Sequence, residues 1–298
     1  MIEDPKSLLV HTDPTAETGT LIDVGPRQAG WEFINLRVQR IDAGGFWNYA
    51  SGDDEICLVP LSGRCTVEVA DASWTIGGRR SPFDGQPHAL YLPKDSTIHV
   101  TADSEVELAV CGARAESATQ PREIPPDQVA VEIRGAGNAA RQINHIIAPD
   151  FPAQRLLVVE VFTPSGNWSS FPPHKHDVSD MPREADLEEI YYYRIDPPHG
   201  FGLQRLYTAD KEVDEAYVIN DGDVLLVPEG YHAFAVAHGY TGYYLNVLAG
   251  AEPDRTMQPT DDPAHAWVRQ TWTEDMNDSA GSWQELDQRI NRGAGRRQ

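Results

Sequence analysis

The stretch NWSSFPPHKHD (residues 167–177) settles both a local conformation and a chemistry. Pro172 and Pro173 fix their own φ and push the preceding residues out of the helical region, so this segment runs extended. Alternate side chains of an extended segment point the same way, so His174 and His176 face one point and Lys175 faces away. Imidazole is the commonest side-chain ligand for a borderline divalent metal, and two on one strand make half of a site.

Working outward, LEEIYYYRI (residues 187–195) supplies a carboxylate. Glu189, Tyr191 and Tyr193 share one strand face, and Glu188, Ile190 and Tyr192 share the other. Glu189 is the preferred inward ligand, because an aromatic alternation starting at it suits a barrel interior; Glu188 stays open as the alternate. Next comes GDVLLVPEGYH (residues 222–232), where Asp221-Gly222 signals a hairpin and Pro228-Glu229-Gly230 a tight turn that delivers His232 to the following strand. A lone His-x-His is more often surface decoration. Joined to a strand-opening Glu and a downstream G-x5-P-x-G-x-H, it reads as a metal site built by three imidazoles and a carboxylate.

Other polar residues have two readings. His238 follows His232 by six residues and can line the same pocket. His99 sits on a polar strand face, and His11, His88, His145, His199 and His265 lack partners at ligand spacing. Tyr191, Tyr193, Tyr243 and Tyr244 either fill the barrel or donate to substrate oxygens. Gln204 and Arg205 are strand neighbours and cannot both face in. Arg205 either grips a carboxylate bidentately or forms a surface ion pair.

The rest of the chain is rich in short Val, Ile, Leu and Tyr runs punctuated by Gly, Pro and Asp-Gly, which predicts a sandwich or barrel of antiparallel strands. Ile34, Leu36 and Val38 share a face, as do Cys65, Val67 and Val69, and Val106, Leu108 and Val110. In the second half, strands are predicted over 156–162, 189–195, 201–208, 224–227 and 243–248. The segment ARAESATQPREIPPD (residues 113–127) is polar, has three prolines and reads as a linker. ALYLPKDSTIHV (residues 89–100) and VLLVPEGYHAFAV (residues 224–236) share a form, which points to a duplicated architecture. The division predicted is a first barrel over 1–112, a linker over 113–128, a second barrel over 129–272 and a tail over 273–298 that is solvated or partly disordered.

The 298 residues are enough for about two domains. A net charge of -22 argues against nucleic acid and against an anionic membrane surface. No apolar run approaches the ~20 residues of a bilayer span. The start lacks the basic region and apolar core of a secretory signal, and Cys57, Cys65 and Cys111 have no CxxC spacing. A cytoplasmic protein with small buried thiols is expected.

The quoted motifs carry the cupin signature. Together with DEAYVINDGDVLLVPEGYH, FGLQRLYT and GYYLNVLAG, and with SGDDEICLVPLSGRCTVEV and GGRRSPFDGQPHALYLPKDS in the first half, they resemble the 5-deoxyglucuronate isomerase family of inositol catabolism over roughly residues 5–272. The resemblance implies an all-β bicupin, two jelly-roll barrels in one chain. It places one divalent transition metal at His174, His176, Glu189 and His232 of the second barrel, with Zn first and Mn, Fe, Co or Ni as alternatives. The first barrel lacks His-x-His and is expected to be metal-free. The implied reaction converts 5-deoxy-D-glucuronate, a small anionic sugar acid, to 5-dehydro-2-deoxy-D-gluconate. Tyr191, Tyr193 and His238 are the candidate bases, and Arg205, Gln204 and Tyr243 the candidate substrate contacts. Acidic bicupins often self-associate, so a homo-oligomer is expected. The residues alone also suit another cupin sugar-acid isomerase, an iron dioxygenase or a non-catalytic sugar-binding bicupin.

Overall fold

The strand Asp54–Ser62 shows how the sequence pattern becomes architecture. Ile56 and Leu58 point into one apolar core, and Cys57, Val59 and Leu61 into another. A strand covered on both faces needs an unbroken apolar run, which is what DEICLVPLS supplies. Ala89–Leu92 and Val106–Arg114 divide their side chains between the two cores in the same way.

The computed structural model describes residues 8–12, 18–252, 254–273 and 282–291. The fold is all-β, and every strand pairing among the described residues is antiparallel. In the first half, a six-stranded sheet runs in the spatial order Arg122–Ile124, Ala89–Leu92, Asp54–Ser62, Val106–Arg114, Ile34–Ile41, Gly19–Val24. It packs on a four-stranded sheet of Phe46–Ala50, Thr97–Ala102, Arg64–Val69 and Ala72–Gly77. In the second half, a seven-stranded sheet runs Leu9–Val10, Val224–Val227, Glu188–Asp196, Thr241–Ala249, Leu157–Thr163, Arg141–Ile147, Ala130–Arg134. Its partner is a five-stranded sheet of Asp214–Ile219, Gly202–Tyr207, Tyr231–Val236, Trp168–Lys175 and Thr260–Asp261. Each half is thus a pair of sheets closed over an apolar interior, the bicupin plan.

The two larger sheets lie back to back. Leu36, Val38, Cys57, Val59 and Cys111 of the first half join Val158, Ile190, Tyr192 and Leu226 of the second in one continuous core. Buried charges stitch this seam. Arg79 pairs with Glu160, and Arg194 and the Tyr192 hydroxyl both reach Glu107 at 2.8 and 2.9 Å. All three cysteines are free and buried, as their spacing predicts.

Two short edge strands are exchanged between the halves. Leu9–Val10 pairs with Val224–Val227 of the second half, and Arg122–Ile124 pairs with Ala89–Leu92 of the first. The predicted linker over 113–128 is therefore not a free connector. It begins inside a strand that ends at Arg114 and contributes an edge strand of its own. The tail also departs from a solvated stretch where it is described. Trp283–Asn291 is helical, Leu286 is buried, and the Trp283 ring stacks on Phe162 at 5.6 Å between centroids. Residues 274–281 and 292–298 of the expected tail lie outside the described residues. No helix among the described residues is long and apolar enough to cross a membrane.

Candidate metal centre

His174 is the penultimate residue of the strand Trp168–Lys175 and lies directly across from His232 on Tyr231–Val236. Two residues on, His176 returns to the same side. Lys175 turns away and donates to Glu184 at 2.7 Å and to Asp177. His232 is presented by the turn at Gly230, whose φ of +98° favours glycine. A Cβ there would lie 2.9 Å from the Tyr207 carbonyl oxygen. The three histidines bring one ring nitrogen each within 4.8 Å of one another.

The strand Glu188–Asp196 crosses this end of the barrel, and period two decides which carboxylate enters. Glu189 is buried, with Oε2 at 3.0 Å from both His176 Nε2 and His232 Nε2. Glu188 faces the first half instead, where its carboxylate accepts the backbone N–H groups of Glu32, Phe33 and Ile34 at 2.5, 2.8 and 3.0 Å. The alternate ligand is thereby committed to docking the halves.

The outer contacts of the imidazoles define what the inner atoms can do. His176 Nδ1 lies 2.9 Å from the Leu187 carbonyl oxygen and His232 Nδ1 lies 3.1 Å from that of Gly230. A carbonyl only accepts, so each Nδ1 carries a proton, and each ring turns its Nε2 inward toward Glu189. His232 Nε2 is buried and has no hydrogen-bond partner. Two lone pairs and a carboxylate oxygen in mutual contact repel unless a cation or an added proton lies among them. Asn246 Nδ2 donates to Glu189 Oε1 at 2.8 Å, which leaves Oε2 aimed at the histidines. Nitrogen and oxygen donors of this type, with their outer atoms already bonded, fit a divalent metal.

Burial and neighbouring charge reinforce the pattern. Burial, then the His232 and His176 imidazoles, hold the His174 pKa well below its usual value. Burial opposes ionisation of Glu189, but His232 and His176 outweigh it and hold the carboxyl well below the normal range. For His176, burial pulls the pKa down, but Glu189 and the Leu187 carbonyl together raise it above its usual value. Burial pushes the Tyr191 phenol well above its usual range, so it holds its proton.

The cavity beside the cluster is lined by Tyr191, Ser170, Tyr244, Asn246 and Arg141, among others. Several residues singled out from the sequence lie elsewhere. Tyr193 is stacked behind Tyr191 and donates to Gln204 Oε1 at 3.1 Å, so both sit deeper in the barrel. Tyr243 faces the seam between the halves, where its hydroxyl donates to Glu160 at 2.8 Å; its neighbour Tyr244 faces the cavity. Arg205 is on the outer face, paired with Asp214 at 2.8 Å through two nitrogens and laid over Tyr207. It forms the surface ion pair, because alternation gives the inward position to Gln204. His238 lies in the turn after Tyr231–Val236, with Nδ1 at 3.5 Å from Ser165 Oγ, and joins neither the cluster nor the cavity. Arg141, Ser170 and Asn246 escaped the sequence reading. Asn246 was within reach of it, since alternation places it with Tyr244.

Known proteins resemble this chain at several depths. A Lactobacillus farciminis oxalate decarboxylase superposes with a TM-score of 0.61 over 94% of this chain and 96% of its own, at 12% identity, which speaks for the fold alone. An IolB-like protein from Salmonella typhimurium LT2 superposes with a TM-score of 0.84 at 41% identity, covering 88% of this chain and 98% of that one. The 5-deoxy-glucuronate isomerase of Geobacillus thermodenitrificans is 46% identical over 265 residues, 88% of this chain and 96% of its own. The KduI/IolB family pattern matches residues 8–268, which takes in both sheet pairs and all four residues of the cluster, and with that extent of agreement the chain belongs to the KduI/IolB family.

Proposed function

We propose that this chain is a metal-dependent aldose–ketose isomerase that converts 5-deoxy-D-glucuronate to 5-dehydro-2-deoxy-D-gluconate in myo-inositol catabolism. The observation that carries this reading is the inward convergence of the His176 and His232 Nε2 atoms on the Glu189 carboxylate, in a chain whose relatives are named 5-deoxy-glucuronate isomerase.

His174, His176, His232 and Glu189 are the ligands in this reading. They would hold a divalent transition metal, zinc first, which would supply Lewis acidity beside the substrate carbonyl. The chain's own groups do the rest. The Leu187 and Gly230 carbonyls fix the tautomers of His176 and His232, and Asn246 fixes the carboxylate. Tyr191 keeps its proton and offers it to a substrate oxygen as a hydrogen-bond donor. Tyr193 braces it from behind. The enzyme works in the cytoplasm as a homo-oligomer; three buried free thiols suit a reducing compartment.

The test pairs elemental analysis of purified protein with an assay of ketose formation from 5-deoxy-D-glucuronate. Near-stoichiometric metal, turnover lost on chelation and restored by metal, and no oxygen uptake are expected. Full turnover by metal-free protein, or an idle metal-loaded protein, overturns the reading.

A further inference from the structure

Three arginines line the cavity beside the cluster, and two are already occupied. Arg134 spends two donors on Glu132, both at 2.8 Å. Arg269 pairs through two nitrogens with Asp261. Arg141, at the start of the strand Arg141–Ile147, is 6% exposed and has neither an ion-pair nor a hydrogen-bond partner among the described residues. This is unusual in a chain with 46 acidic residues. Arg79, buried to the same degree, is matched to Glu160. A guanidinium this deeply set with no carboxylate beside it is costly, and burial lowers its pKa.

We propose that Arg141 is an anion subsite of this cavity, a fork that takes the carboxylate of a short sugar acid whose carbonyl end lies at the histidines. The inference rests on the isomerase reading and deepens it by assigning the acid end of the substrate. A planar guanidinium matches a carboxylate through two parallel hydrogen bonds, and in a desolvated cavity such a pair is strong. Arg141 shares the cavity wall with the Tyr191 and Tyr244 rings, so a bound carboxylate would meet it beside apolar ring faces. The subsite also explains how a chain of net charge -22 admits an anion: one uncompensated positive group sits where the ligand is wanted.

The experiment compares D-gluconate with its neutral counterpart D-glucitol by calorimetric titration of the metal-loaded protein, then repeats both on Arg141→Met and Arg141→Lys. Gluconate is expected to bind at least about 10-fold more tightly than glucitol to the unaltered protein. Arg141→Met should weaken gluconate on the order of 100-fold and leave glucitol unchanged; Arg141→Lys should recover part of the loss. Metal content and far-ultraviolet circular dichroism should be the same in all three. In turnover, KM for 5-deoxy-D-glucuronate should rise on the order of 100-fold in Arg141→Met. Equal binding of gluconate and glucitol to the unaltered protein overturns the subsite without reference to any variant. Gluconate binding that survives Arg141→Met also overturns it, because the carboxylate then goes to the metal. If gluconate discrimination depends on Arg141 while 5-deoxy-D-glucuronate is not turned over, the subsite stands and the isomerase reading falls.

Discussion

The two halves present the same strand at Glu55-Ile56 and at Glu188-Glu189, with one residue changed. Register fixes the correspondence: Ile56 pairs with Leu92, the residue before Pro93, and Glu189 pairs with Val227, the residue before Pro228. Tyr49 lies across from Ile98 as His174 lies across from His232. The positions of His174, Glu189 and His232 are therefore Tyr49, Ile56 and Ile98 in the first half, with Ser51 two residues after Tyr49. The outward carboxylates, by contrast, are kept. Glu188 accepts the N–H groups of residues 32–34, and Glu55 accepts those of Gln154, Arg155 and Leu156 at 2.8, 2.6 and 2.8 Å. Each half thus clasps the backbone leading into a strand of the other. Outward residues hold the halves together, and inward residues decide which half carries chemistry.

The largest expected effect comes from erasing that inward difference. Glu189→Gln or His232→Ala should lower kcat/KM on the order of a thousand-fold or more and strip the metal, with circular dichroism unchanged. Glu188→Gln should leave metal content intact. A Glu188→Gln protein that loses its metal while Glu189→Gln keeps it would invert the assignment of faces. The converse substitution, Ile56→Glu, puts a carboxyl at a fully buried position that has no imidazoles facing it. It should destabilise the fold by at least about 3 kcal/mol in urea titrations, without creating a metal site. A tolerated Ile56→Glu would mean that the first interior is wetter than its apolar lining implies.

The inward side chains were legible because period two acts locally: HKH and EEIYYY declare their faces within a few residues. The buried thiols and most strand positions followed from the same rule. Arg141 was hidden because its role depends on what it lacks, and only the fold shows that Arg134 and Arg269 are satisfied while it is not. Tyr243 and Tyr244 are adjacent, so choosing between them requires knowing that they lie opposite Phe162 and Val161 of a distant strand. The exchanged edges Leu9–Val10 and Arg122–Ile124 are two and three residues long, too short for any periodicity to mark them.

The clasps make a matched test of smaller size. Glu55→Gln and Glu188→Gln each replace an acceptor of three backbone N–H groups with an amide that turns one donor toward donors. Each should cost about 2–3 kcal/mol, and the two costs should agree within about 1 kcal/mol. A large cost at one site and none at the other would show that only one clasp bears on stability, and that the symmetry is one of shape alone.

The smallest effect concerns a strand that only the second half has. Ala130–Arg134 extends the larger sheet by one edge with no counterpart in the first half, and Glu132 on it ties Arg134 to His145 at the cavity rim. Hydrogen bonds from Arg134 pull the Glu132 pKa down to about 2 from 4.5; burial opposes this, and His145 adds to it. A carboxyl depressed on folding stabilises above its unfolded pKa, so the contribution is full above about 4.5 and is lost as pH falls toward 2. The Glu132 side chain is 40% exposed, so solvent screens much of the nominal gain. Glu132→Gln should then cost about 0.5 kcal/mol at pH 7 and nothing near pH 2, measured as paired urea midpoints across that range. A deficit that is the same at both ends would mean that Glu132 holds the edge by its shape and neutral hydrogen bonds, and that the added strand depends on its ladder with Arg141–Ile147 rather than on charge.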